Sequence, residues 1–351
     1  MHMADALISP AVGGTMWAVS GGLIAYCANK VKKSFRDNLV PMMGVLGAFI
    51  FAAQMINFSI PGTGASGHLG GGLILTALLG PHAAFLAIAS VLAVQAFFFA
   101  DGGLLALGCN IFNLGFFPAF VAYPLIYRAV VRDQYVAPRA WVGAVVAAVV
   151  GLQLGAFSVV LETKASGISD LPFGTFTLLM LPIHLAIGVV EGLATAAVVS
   201  FVAKARPEAL PAAAVPGDRV SMRPLLIKLA IIALLTGGVA SWFASTHPDG
   251  LEWSIGKVTG REDAAGREGG VHKSLSDIQA RTAFLPDYGL KASGDVPAHG
   301  ETETPAAEAW PAVSAGTSLS GVVGGVMTLA LACLIGIALR MRSAWRRCGK
   351  R

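Results

Sequence analysis

Apolar residues run through this chain in stretches of membrane-crossing length, and that feature constrains the fold more than any motif. The stretch 140–161, for example, holds no charged residue and a single amide side chain, Gln153. A helix rises about 1.5 Å per residue, so about 20 such residues cross the roughly 30 Å of a bilayer's hydrocarbon. Runs of this kind fall near 10–28, 39–58, 82–100, 104–128, 139–161, 174–203, 224–243 and 317–340. With 55% hydrophobic residues, 13% charged residues and a mean hydropathy of +0.69, the composition excludes an ordinary soluble domain. The expectation is an all-α integral membrane protein, a polytopic helical bundle.

Leu69–Gly80 is short and rich in glycine, and it ends at Gly80-Pro81, where a helix breaks or kinks. The distribution of Lys and Arg decides how it is used. If 69–100 is a helical hairpin turning at Pro81 and the N-terminus lies outside, 18 of the 25 basic residues face inward. The other seven are Lys164 and six in the long external segment 244–316, where charge carries little topological weight. Were 69–100 a single span, only 11 would face inward. The hairpin therefore prevails, giving nine membrane segments with the N-terminus outside and the C-terminus inside. No basic region precedes the first apolar run, so residues 1–28 are not expected to be a removable signal peptide.

This topology puts Met1, His2 and the glycine-rich loop Pro61–His68 on the same side of the membrane. A free amine, the following amide nitrogen and an imidazole can close on one metal ion, so Met1 and His2 offer three nitrogens and His68 a fourth. Four nitrogens suit a square-planar divalent ion. Nickel(II) fits best and cobalt(II) is a near competitor, whereas magnesium or calcium would call for oxygen ligands. Against this stands a plainer alternative: His2 is incidental and His68 is a loop histidine with a satisfied hydrogen bond. Ligation by neutral imidazoles would make affinity fall as pH drops through about 6.5.

Polar residues inside the apolar runs need partners, because an unsatisfied group in lipid is costly. They are Gln54, Asn57, Gln95, Asp101, Asn110, Asn113, His184 and Glu191. Asp101 and Asn110 are candidates to orient a ligand imidazole from behind, or else to bond between helices. His184 and Glu191, seven apart on one helix face, read as packing or subunit contacts. Small residues recur every four positions at Gly14, Ala18 and Gly22 and at Gly143, Ala147, Gly151 and Gly155, which allows close helix approach, by default within the chain.

Four stretches carry a family resemblance: Met1 to Pro10, Ser66-Gly67-His68-Leu69-Gly70-Gly71, the segment Phe99–Gly115, and Val190-Glu191-Gly192-Leu193. Over roughly 1–206 the chain resembles the CbiM/NikM family, substrate-binding membrane subunits of energy-coupling factor transporters for cobalt and nickel. His247-Pro-Asp-Gly-Leu-Glu-Trp253 resembles the PDGLE motif of the accessory N (NikN/CbiN) component. The resemblance implies a seven-helix metal-binding unit (1–206), a cytosolic linker (207–219, rich in Pro and Ala) and a two-helix C-terminal unit (220–351) with the external loop 244–316. It implies Met1, His2 and His68 as ligands, a transmembrane coupling subunit and cytosolic ATPases as partners, and residence in the bacterial inner membrane. The ion is the transported substrate; no cofactor and no nucleic acid are expected. The family often has an apolar residue at Met3 and an acid-glycine pair at Asp5-Ala6, departures that touch no ligand and leave the preferred metal open.

No Walker A pattern occurs, so energy for uptake would come from other subunits. Segment 244–316 has 11 acidic and 6 basic residues and reads as a solvated, partly disordered loop, most of all over 292–316. Its acidic excess would gather cations, while His247, His272 and His299 lack ligand spacing. Cys27, Cys109, Cys333 and Cys348 form no Cys-x-x-Cys pair, and no disulfide framework is expected. A membrane metalloenzyme or metal sensor, with chemistry on Asp101, His184 or Glu191, is the alternative to metal uptake.

Overall fold

The computed structural model describes residues 2–33, 38–132, 136–210, 222–261, 269–290 and 310–348, with side chains up to 341. Met1, most of the 207–219 linker, His299 and the Cys348 side chain lie outside the described residues. Each long apolar run folds as a helix: α1 (Pro10–Lys33), α2 (Leu39–Gln54), α3 (Gly72–Leu79), α4 (Pro81–Phe99), α5 (Leu107–Val131), α6 (Ala137–Ser166), α7 (Phe173–Ala205) and α8 (Arg223–Gly238). Two short helices follow, α9 (Gly250–Thr259) and α10 (Gly270–Thr282), and then α11 (Ala315–Cys348). Among the described residues, six helices are long and apolar enough to cross a membrane: α1, α4, α5, α6, α7 and α11. The protein is a multi-pass membrane protein with a helical core.

The hairpin at Pro81 forms. Gly80 takes φ 80°, a conformation that glycine adopts without strain, and Pro81 opens α4 where its missing N–H is harmless. The His82 ring lies 5.6 Å from that of Tyr26 on the Lys-rich end of α1, so this turn sits at the end of the bundle opposite His2. With 8 residues, α3 covers only about 12 Å, and the rest of its pass is extended loop. This is the segment expected to be short, and the open backbone that precedes the helix carries His68.

Glycines set the helix contacts. A Cβ at Gly188 would lie 2.8 Å from the Val149 backbone, and Gly192 likewise abuts Val145, so α7 lies backbone to backbone on α6. Gly237 and Gly321 meet where α8 crosses α11, and Gly324 seats the ring of Phe51, docking the C-terminal pair on α2. The expectation of internal packing fails for α1, where Gly14 and Gly22 have nothing within 4 Å. That face is presented outward.

Segment 244–316 departs further from the sequence expectation. Asp249 accepts the N–H groups of Leu251 and Glu252 at 2.8 and 2.9 Å while Glu252 accepts that of Asp249 at 3.0 Å, a reciprocal cap that starts α9. Residues 244–261 and 269–290 are folded onto the bundle rather than solvated; 291–309 lie outside the described residues.

Candidate metal centre

The N-terminal segment is threaded into the bundle as a strap. Met3, Leu7 and Ile8 are fully buried. Asn110 clasps the backbone of Met3, its Oδ1 accepting the Met3 N–H at 2.8 Å and its Nδ2 donating to the Met3 carbonyl at 3.3 Å. Gly103 N–H donates to that carbonyl at 2.9 Å, and Asp5 accepts the Ala106 N–H at 2.9 Å. The tight passage explains Gly103, whose Cβ would collide with Asp5. Asn110 therefore fixes the strap one residue beyond His2.

His68 follows a small antiparallel hairpin, Phe58–Ile60 with Ala65–Gly67, turned by Gly62 and Gly64 at positive φ. Beyond it the backbone is squeezed against α7: a Cβ at Gly67 would strike Ile187, and one at Gly70 would lie 2.9 Å from the Glu191 carboxylate. Glu191 accepts the Gly70 N–H at 2.7 Å, and the Gly71 and Leu73 N–H groups also face it. A carboxylate at the start of α3 meets the unpaired amides and positive dipole end of that helix. Gln54 donates to the Gly70 carbonyl at 2.9 Å. Glu191, read from sequence as a packing residue, is the anchor of the His68 loop.

Strap and loop bring the two imidazoles together. The rings of His2 and His68 stack with centroids 4.9 Å apart and planes 19° apart. His2 Nδ1 bonds Asp101 Oδ1 at 2.8 Å, which leaves Nε2 as the lone-pair nitrogen, buried and without a hydrogen-bond partner. His68 Nδ1 donates to the Leu69 carbonyl at 3.0 Å, so there too Nε2 is the basic nitrogen. Burial drives the His68 pKa down to about 3, and the neighbouring His2 adds to the effect. Burial works against ionisation of Asp101, but the His2 ring and hydrogen bonds from His2 and Tyr288 outweigh it, holding the carboxyl down to about 2. The neutral His68 imidazole, with a second imidazole braced by a fixed carboxylate, makes a donor set for a soft or borderline divalent ion. Among the described residues no three His, Cys, Asp or Glu side chains converge on one point, so a complete site needs other donors.

The C-terminal unit closes over this pair. Ser66 donates to the carbonyls of His247 and Pro248, through Oγ at 2.7 Å and N–H at 2.8 Å, and Trp253 Nε1 donates to the Thr63 carbonyl at 3.0 Å. From α10, His272 Nε2 donates to Ile8 O at 2.9 Å, and Gln279 donates to Ala96 O and Gly102 O at 2.9 and 2.8 Å. Between these elements lies a cavity of about 1010 Å³ with Asp5, Asp101, Asp249, Glu252, Asp277 and Asp287 on its walls. His184 is not on those walls; it donates from Nδ1 to Met180 O at 2.8 Å inside α7. Sequence reasoning missed Tyr288, Gln279 and the part of His272. The PDGLE stretch could have pointed to Asp249, while nothing near Tyr288 marks it.

A helical membrane bundle whose N-terminal strap and broken segment bring two imidazoles to one mouth defines a class of ion-handling membrane protein. Residues 2–209 match the family described as "cobalt uptake substrate-specific transmembrane region", and 223–341 match the PDGLE domain. The chain belongs to that cobalt uptake family and carries a PDGLE unit fused behind it. It is 33% identical over 339 residues to a putative fused nickel transport protein NikMN of Archaeoglobus fulgidus, covering 94% of this chain and 96% of the relative. A fused nickel transport protein NikMN of Rhodobacter capsulatus is 29% identical, over 82% of this chain and 88% of its own. A crystal structure of a truncated transition metal transporter superposes with TM-score 0.51 and 30% identity, covering 58% of this chain and 99% of that one. The family is one of transport proteins, which sets the enzyme alternative aside.

Proposed function

We propose that this chain is the substrate-binding membrane subunit of an energy-coupling factor transporter, taking nickel(II) or cobalt(II) at its outer face and releasing it inward. The observation that carries this reading is the His2–His68 pair, stacked at 4.9 Å, with His2 backed by Asp101 and His68 Nδ1 held by the Leu69 carbonyl. The Met1 amine and the His2 amide nitrogen complete a four-nitrogen set, which favours nickel. The amide nitrogen and ring of His2 close a six-membered chelate only through Nδ1, the atom that here bonds Asp101. On capture the ring turns about its Cβ–Cγ bond, and its proton passes from Nδ1 to Nε2 by way of Asp101 or water. Nδ1 takes the metal, Nε2–H turns toward Asp101, and the His2 amide proton is released to solvent.

The acid-lined cavity concentrates cations ahead of capture. With no Walker A pattern in its own sequence, the chain relies for energy on cytosolic ATPase subunits, which act through a transmembrane coupling subunit to reorient the bundle. The Lys and Arg distribution supports an inner-membrane orientation with the N-terminus outside and the C-terminus cytosolic. The transport names of the relatives, nickel and cobalt alike, support the ion class. Equilibrium dialysis of the purified chain tests the reading: His2→Ala and His68→Ala each abolish stoichiometric nickel and cobalt binding, and tight binding retained by both variants would refute it.

A further inference from the structure

We propose that Tyr288, in the C-terminal unit, is a positioning residue for the metal site, its hydroxyl holding both ligand-bearing segments at once. The proposal rests on the reading of His2 and His68 as ligands. On the His2 side, the Tyr288 hydroxyl donates to Asp101 Oδ2, while Oδ1 of the same carboxylate bonds the His2 ring at 2.8 Å. On the His68 side, the same oxygen accepts from Gln95 Nε2 at 3.3 Å. That amide also donates to Gln54 Oε1 at 3.0 Å, and Gln54 in turn donates to the Gly70 carbonyl at 2.9 Å, two residues past His68. Tyr288 is thus the point where the chains of bonds from the two segments meet.

The surrounding structure is built to hold that point. Asp287 and Tyr288 both take positive φ, 49° and 59°, a conformation uncommon for residues with a side chain and one that persists only where its surroundings enforce it. The Tyr288 ring stacks on Phe99 at 5.2 Å and meets Phe51 edge-on at 6.1 Å. Leu285 N–H donates to Phe98 O at 3.3 Å, pinning the turn to the end of α4. There α4 widens into a π-turn over Gln95–Phe99, which closes with the Asp101 N–H on Gln95 O at 3.2 Å and so sets the two polar partners of Tyr288 side by side. Burial and the adjacent Asp101 push the Tyr288 hydroxyl above its ordinary value, so it remains a donor at every physiological pH. Withdrawal of the 286–288 turn frees Asp101 and Gln95 together, which makes the C-terminal unit a determinant of how tightly the ion is held.

The test uses the full chain with its native first residue, in detergent, with nickel affinity measured by chelator competition and site geometry by the cobalt(II) d–d absorption. Tyr288→Phe keeps the aromatic packing and removes one oxygen; it raises the nickel Kd about tenfold and alters the cobalt spectrum. Because Tyr288 acts partly through Asp101, Tyr288→Phe combined with Asp101→Asn costs less than the product of the two single losses. An unchanged Kd and spectrum, or fully multiplicative losses in the double variant, would overturn the proposal. If the unsubstituted chain binds neither metal, the reading of the site itself falls, an outcome distinct from both.

Discussion

Asp101 gives the residue scale its sharpest expectation, since its carboxylate bonds a proposed ligand ring directly. Groups that orient a ligand imidazole from behind contribute about 10- to 100-fold in metal affinity. Asp101→Asn keeps the shape, weakens the acceptor and removes the charge; titration of the purified variant is expected to give nickel binding weaker by that factor. His68 makes a separate statement about pH. Its folded pKa of about 3 lies below the ordinary histidine value of about 6.5, so between these limits the unfolded chain holds the extra proton. The stability contribution is fully present above pH 6.5 and is lost as pH falls from there toward 3. Thermal midpoints of the metal-free chain should therefore fall between pH 6.5 and 4, and fall less in His68→Gln; a variant as acid-sensitive as the parent would contradict the assignment. The same shift revises the simple expectation that His68 must shed a proton near pH 6.5 to ligate, because its ring is already neutral there.

At the scale of elements, the site depends on two pieces of backbone that are not regular helix. The strap passes Gly103 with no room for a side chain, so Gly103→Ala displaces Asp5 and with it His2, and metal binding is lost while the bundle persists. Gly14→Ala, on the open face of α1, is expected to leave binding unchanged, and dialysis of the two variants side by side distinguishes a local passage from a general intolerance of glycine loss. Much of this level was legible beforehand. Gly80-Pro81 marked the hairpin because glycine frees φ and proline ends a helix, and charge counting chose between topologies. The short α3 was not legible as an anchored half-helix, since hydropathy counts apolar residues and carries no record that Glu191, on a distant helix, would take up the amides of Gly70 and its neighbours.

For the whole molecule, the apolar runs announced the membrane bundle because lipid allows few alternatives. His2 and His68 stood out as candidates because their residue types suit a nitrogen-bound ion, and the fold sets their rings side by side. The fused unit was harder to read: 244–290 is polar and weakly periodic, so it resembles a solvated loop, yet Ser66, Thr63, Ile8 and Gly102 each find partners on it. Those bonds join residues 177 to 264 positions apart, where local pattern carries no signal. The central claim is that the mouth of this bundle binds a transition metal through its first residue as well as through His2 and His68. Metal analysis of the purified chain beginning at Met1, beside a version with one residue added before it and both offered nickel and cobalt in competition, tests this most directly. The account predicts one equivalent of metal, nickel in preference, on the first and none on the second; equal loading of the two would contradict it.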